Sequence, residues 1–142
     1  MKDVMDGKVG ISEHIKDSLW HIQAAIDSSN FIKMQGLIYT YGYPKKYIEA
    51  YKVSTIFLHA SPRWMTMDFF KTLKEEVMNG NMPGLEYAEI YDRQQIDKKL
   101  PELYYVGKHF DSKTNTFAIA KPFDIEATNK AREEIGLKKL KD

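Results

Sequence analysis

A chain of 142 residues is the size of one domain and is long enough to close one hydrophobic core. With 43% hydrophobic and 13% aromatic residues it has the apolar surface that offsets the entropy of ordering a chain, so disorder is not the default reading. The 21 Lys and Arg nearly cancel the 20 Asp and Glu, so no broad positive field draws nucleic acid or an anionic membrane.

There is no cysteine, which removes disulfides, thiolate nucleophiles and Cys-ligated zinc. Residues 1–10 are polar, contain no apolar signal core and are read as flexible. No run approaches the ~18 apolar residues of a membrane helix, so the chain reads as soluble with no membrane span. The compartment stays open between the cytoplasm and an exported protein lacking its leader here.

In chain order, Ile11, Ile15, Leu19, Ile22 and Ile26 recur at steps of three and four, the stripe of a helix that Ser12 is placed to cap. Ser28, Ser29 and Asn30 read as an interruption that caps a second helix carrying Phe31, Met34, Leu37, Ile38 and Tyr41. Gly42 and Pro44 stop it. Residues 53–60, Val-Ser-Thr-Ile-Phe-Leu-His-Ala, are apolar almost all round, and their β-branched content also suits a strand. We read them as a buried central helix that ends at Ser61-Pro62. Thr66 then caps a helix over 67–79, with Met65 placed to staple onto Phe70 and Gly80 closing the far end.

Pro83 opens a further helix that runs to about residue 100, before Pro101. Residues 103–106 and 116–119 are β-prone and flank a polar turn over 111–115, which predicts a hairpin. Asp124 caps a last helix ending at Ile135-Gly136-Leu137. The expected architecture is mainly α (α+β), a single domain over 1–142 of five to six helices packed around the central helix. A lone hairpin is marginal in water, so it is expected to pack on the helices.

Four polar residues stand out. His59 closes the most apolar segment, where a part-buried imidazole acts as acid, base or ligand, or simply bonds a backbone carbonyl. Asp92 returns at ~100° per residue to the stripe of Leu85, Ala88 and Ile96, and a carboxylate there needs a partner. That partner is His59, Arg63, Arg132 or a backbone amide; Arg93 is adjacent but about 100° further round the helix. Gly107 marks a bulge or a close approach, and alternation places Tyr105, Gly107 and His109 on one face of the first strand. His14 and His21 share a helical face but make a poor metal site, and no phosphate loop or HExxH motif is present.

The order of these features resembles a bacterial family catalogued as domain of unknown function 6624. It lies in Tyr41-Gly42-Tyr43-Pro44 after a helix with Asn30 near its start, and in Leu58-His59-Ala60-Ser61-Pro62, where members read Gln-His-Ala/Ser. It continues in Asp92-Arg93, in Val106-Gly107-Lys108-His109, where members read Tyr-Gly-Thr/Ser-Gln, and in the close from Pro122 through Ile135-Gly136-Leu137. The resemblance covers about residues 30–140. It carries over no activity, but it places His59, Asp92, Arg93 and Gly107 at motif positions. Leu58 and His109 both stand where members carry Gln.

The reading that follows is a small binding module whose polar pocket takes a small molecule or peptide, with Arg93, Gly107, His109 and Tyr105 as ligand-binding residues and no cofactor or metal. One alternative is a hydrolase-like enzyme in which His59 is the general base, Asp92 orients it and Arg93 holds an anionic group. The other is a structural or interaction domain in which these residues form a buried network. Oligomeric state is left open.

Overall fold

The computed structural model describes residues 12–45 and 53–141. Among these residues the chain forms five helices and one hairpin: α1 (Glu13–Tyr41), α2 (Ser54–Leu58), α3 (Met67–Met78), α4 (Gly84–Asp97), β1 (Lys108–Asp111), β2 (Thr116–Ile119) and α5 (Ile125–Glu134). The fold is thus mainly helical with a hairpin near the C-terminus. None of the described helices is long and apolar enough to cross a membrane. The expected flexibility of residues 1–10 lies outside the described residues.

The Ser12 hydroxyl caps α1 by accepting the Ile15 N–H at 3.3 Å. The helix then runs unbroken for 29 residues, so Ser28, Ser29 and Asn30 do not divide it. Such residues cost only tenths of a kcal/mol in a helix interior, and the next residue anchors the helix. The Phe31 ring meets Phe57, Trp64 and Phe69 at centroid distances of 5.9, 5.8 and 5.7 Å. Phe31 and Ile38 face the core, whereas Ile15, Leu19, Ile22 and Ile26 are about half exposed. At ~100° per residue the two sets lie roughly 140–160° apart. The expected stripe is present, but the opposite face of the helix is the one that packs.

Gly42 ends α1 at φ 80°, where a Cβ would come within 3.1 Å of Glu76 Oε2. That carboxylate accepts the Tyr43 N–H at 2.8 Å and the Asn81 side-chain amide at 3.1 Å, tying the turn to the end of α3. The segment after Val53 is a helix, not a strand: Ser54 and Phe57 are fully buried and α2 packs between α1 and α4. Thr66 caps α3 through the Phe69 N–H at 3.2 Å, and Met65, Phe69, Phe70 and Leu73 enter the core.

Helix α4 buries Tyr87, Ala88, Ile90, Asp92 and Gln94. Leu85 and Ile96, expected beside Asp92 on the buried stripe, are instead 46% and 39% exposed. The buried arc therefore starts at Ala88 and Asp92 and turns away from them. At the start of α4, a Cβ on Gly84 would lie 2.0 Å from the Ile135 carbonyl oxygen, so the absence of a side chain lets the end of α5 abut α4.

The hairpin is shorter and later than its sequence predicts. Residues 103–106 are not a strand; β1 begins at Lys108 and includes Asp111. It pairs antiparallel with β2, Phe110 opposite Phe117 and Lys108 opposite Ile119. Every residue of both strands is exposed, so the hairpin projects from the helices instead of packing on them. Asp124 caps α5 through the Ala127 N–H at 3.0 Å. The helix ends with Leu137 N–H on Arg132 O at 2.8 Å and Gly136 at φ 77°. The tail is then pinned, because Asn129 bonds both the N–H and the carbonyl of Leu140.

Tyr87, Tyr91, Tyr104 and Phe70 form one aromatic cluster, with centroid distances of 5.3 to 6.3 Å. Burial pushes the Tyr87 hydroxyl up to about 12. Burial also raises Tyr104, and it raises Tyr43 together with the Glu86 carboxylate that accepts the Tyr43 hydroxyl. In the unfolded chain these phenols ionise near 10, so above that pH the folded state holds more protons and stability falls. The expected result is a melting temperature with no contribution from these groups below pH ~10 and a steady decline from there through 12, in step with tyrosinate absorbance. Tyr43→Phe and Tyr104→Phe should flatten that decline.

Candidate functional site

Asp92 is held by three backbone amides. Its Oδ1 accepts the N–H of Leu103 at 2.9 Å and of Tyr104 at 3.0 Å, and Oδ2 accepts that of Val106 at 3.3 Å. The side chain is buried, so a full negative charge is stabilised by convergent donors in a low-dielectric setting. Wrapping three amides around one carboxylate bends the chain, and Tyr105 between them takes φ 51°. A left-handed non-glycine residue costs about 1–2 kcal/mol, which the charged hydrogen bonds offset.

Arg132 completes the arrangement from α5. It donates to the Tyr104 carbonyl at 2.6 Å and to the Lys138 carbonyl at 2.7 Å. Desolvation lowers its pKa, and the charge of Asp92 works in the opposite direction. The buried Tyr105 reaches the other way, its hydroxyl accepting the Phe123 N–H at 3.3 Å. One carboxylate thus fixes the segment that leads from α4 into the hairpin and docks it to α5.

His59 is elsewhere and exposed. Gln94 Nε2 donates to the Ala60 carbonyl at 3.2 Å, so the His59–Ala60 backbone lies on the Gln94 side of α4. Gln94 is about 200° round the helix from Asp92, so α4 stands between the histidine and the carboxylate. Arg93 is exposed and paired with Asp97 at 3.2 Å, and His109 is exposed and paired with Glu102 at 3.2 Å. Gly107 lies outside β1, and a Cβ there would meet only His109 Nε2 at an ordinary 3.9 Å. Among the described residues no hydrogen bond joins any two of His59, Asp92, Arg93 and His109. The structure does not bring the four together.

His59 instead lines an open groove of about 270 Å³ between α1 and the connection from α2 to α3, with Trp20, Gln23, Ala24, Asp27, Ser61, Arg63 and Trp64. It contains both tryptophans of the chain. Trp64 is braced on Phe31 at 5.8 Å, so one wall is rigid. His59, Arg63, Asp27, Gln23 and Ser61 border the same groove as the two tryptophans. Trp20, Gln23, Asp27 and Trp64 were not picked out by the sequence reading. A signal existed: Trp20 and Asp27 are seven apart on α1, away from the apolar stripe, and Arg63-Trp64 follow the His59 motif directly.

A second hollow of about 770 Å³ lies between the end of β2, the start of α5 and the tail, lined by Ile119, Pro122, Phe123, Ile125 and Leu140. It is larger, but among the described residues only Lys121 and Lys141 bring charge to its wall. Among the described residues no three His, Asp or Glu converge to hold a metal. Comparison with protein-family models, curated proteins and solved structures finds no match to this chain.

Removing the Asp92 carboxylate strands three amides, each unsatisfied donor costing about 1–3 kcal/mol. Asp92→Ala should therefore lose ~3–5 kcal/mol and lower the melting temperature by about 10 °C or more. The neighbouring Arg93→Ala, which breaks an exposed pair, should stay within about 0.5 kcal/mol. Equal effects of the two substitutions in thermal unfolding would contradict the anchoring role.

Proposed function

We propose that this chain is a binding module, and that the His59 groove takes a small planar polar molecule. The observation that carries this reading is the gathering of both tryptophans with His59, Arg63, Gln23 and Asp27 around one space. Indole faces stack a planar ring, Arg63 offers a planar fork of donors to an acidic group, and Asp27 accepts from an amino or amide N–H. Such a ligand combines a flat ring with a carboxylate or phosphate and at least one hydrogen-bond donor. Small-molecule sites are concave and set polar groups against apolar walls; here the two indoles and Ala24 supply the apolar wall and five polar side chains line the rest.

The catalytic alternative has less support. General-base catalysis by His59 with Asp92 behind it requires the two in contact, and Asp92 already holds three amides on the far side of α4. The resemblance of the segment around His59 to the Gln-His-Ala/Ser motif of domain of unknown function 6624 is consistent with a site at this groove, and belongs to the same proposal.

The test uses a panel of planar acids: aromatic carboxylates, heteroaromatic carboxylates and nucleoside monophosphates. A ligand at about 100 times its dissociation constant stabilises by ~2.7 kcal/mol, so a hit raises the melting temperature, and it quenches the fluorescence of both tryptophans. His59→Ala and Arg63→Ala, both exposed, should melt like the parent yet bind at least ~10-fold more weakly, the loss of one charged hydrogen bond. Hits that bind both variants as well as the parent, or no quenching by any panel member at millimolar concentration, would overturn the proposal.

A further inference from the structure

The first half of α1 presents a face that the fold leaves uncovered. Ile15, Leu19, Ile22 and Ile26 are each between 49% and 57% exposed. Their spacing of four, three and four is that of a helix–helix seam. The core-facing residues of the same helix, Phe31 and Ile38, point ~140–160° away from this seam. On it lies a hollow of about 480 Å³ lined by Ile22, Ala25, Ile26, Ser29, Asn30 and Lys33. The first four stand at i, i+3, i+4 and i+7, the four positions that form the hole for a side chain from a facing helix. Ala25 and Ser29 are small, so the hole is open.

We propose that a second copy of this chain fills it, with α1 against α1 in antiparallel order about a two-fold axis near Ile22. Leu19 lies three residues before Ile22, and the hollow is centred three to four residues after it. A two-fold at Ile22 therefore sets each Leu19 over the other copy's hollow, a self-complementary contact. Parallel pairing would bring Leu19 level with Leu19 and leave the hollow without that side chain. Antiparallel order also sets the two helix dipoles in opposition, which is attractive.

Charge favours the same occupant. Glu13, Lys16, Asp17 and Asp27 lie about 100° or more from the seam, and Lys33, which lies on it, sits eleven residues from the two-fold, so the two copies' Lys33 are ~33 Å apart and no like charges meet across the seam. The described part of α1 carries three acidic residues against two lysines. That is the reverse of the Lys- and Arg-rich flank that holds an amphipathic helix on an anionic bilayer. Pairing ~18 residues of each helix, about 27 Å, covers on the order of 1,000 Å² in total, the lower bound of a specific interface. An interface of that size sits at the weak, reversible end.

Sedimentation of the full chain from about 5 to 200 μM tests this across the micromolar range. The expected mass rises from 16.5 kDa toward twice that value. Leu19→Glu and Ala25→Glu, on the exposed face, should remain at 16.5 kDa at every concentration with unchanged circular dichroism and melting temperature. The chain has no cysteine of its own, so Ile22→Cys should oxidise to a linked dimer while Ile15→Cys does not. A single 16.5 kDa species throughout would overturn the proposal, as would equal cross-linking at both positions. Binding to phosphatidylglycerol vesicles without self-association, lost in Leu19→Glu, would assign the face to a lipid surface instead.

Discussion

The Asp92 carboxylate, buried and accepting hydrogen bonds from three amides of the loop that follows α4, is the constraint on which the C-terminal half of this molecule depends. An ionised group in the interior is tolerated only where donors converge on it, and here the donors come from the backbone. A backbone donor cannot swing away as a side chain can. Fixing the N–H groups of Leu103, Tyr104 and Val106 therefore fixes the path of the chain between α4 and β1. Arg132 binds the carbonyl of the same Tyr104, so α5 is set by the same peptide unit. The left-handed Tyr105 is the local cost of that geometry.

This accounts for where the sequence was legible and where it was not. Helix caps are local chemistry, and Ser12, Thr66 and Asp124 cap the helices their positions indicate. The burial of Asp92 was also legible, because helical phase sets it beside Ala88. Its partners were not, since residues 103–106 lie outside the helix and their β-branched and aromatic character suits a strand. The carboxylate takes the amides that a strand would have used. Local propensity yielded to a contact eleven to fourteen residues away in sequence.

Periodicity had a different blind spot. It shows that Ile15, Leu19, Ile22 and Ile26 share a face of α1, but not what that face meets. Phe31 and Ile38 mark a second apolar face nearly opposite, and the core took that one. The same limit applies to the candidate site. The residues His59, Asp92, Arg93 and His109 suggest a cluster when read along the chain, yet α4 separates the first two, and Asp97 and Glu102 hold the others. Gln94 was overlooked although it shares a helical face with Tyr87 and Ile90, and its amide is what sets His59–Ala60 against α4. What gathers around His59 comes from α1 and from the residues just after its own motif.

Native-state amide hydrogen exchange measures the central constraint most directly, residue by residue. If the carboxylate holds the loop, the amides of Leu103, Tyr104 and Val106 open only with the core and exchange as slowly as buried amides of α4. The hairpin amides, on a projecting element, should exchange far faster. Exchange of the three loop amides at the rate of the hairpin would contradict the account, because Asp92 would then be a buried charge without a fixed set of donors.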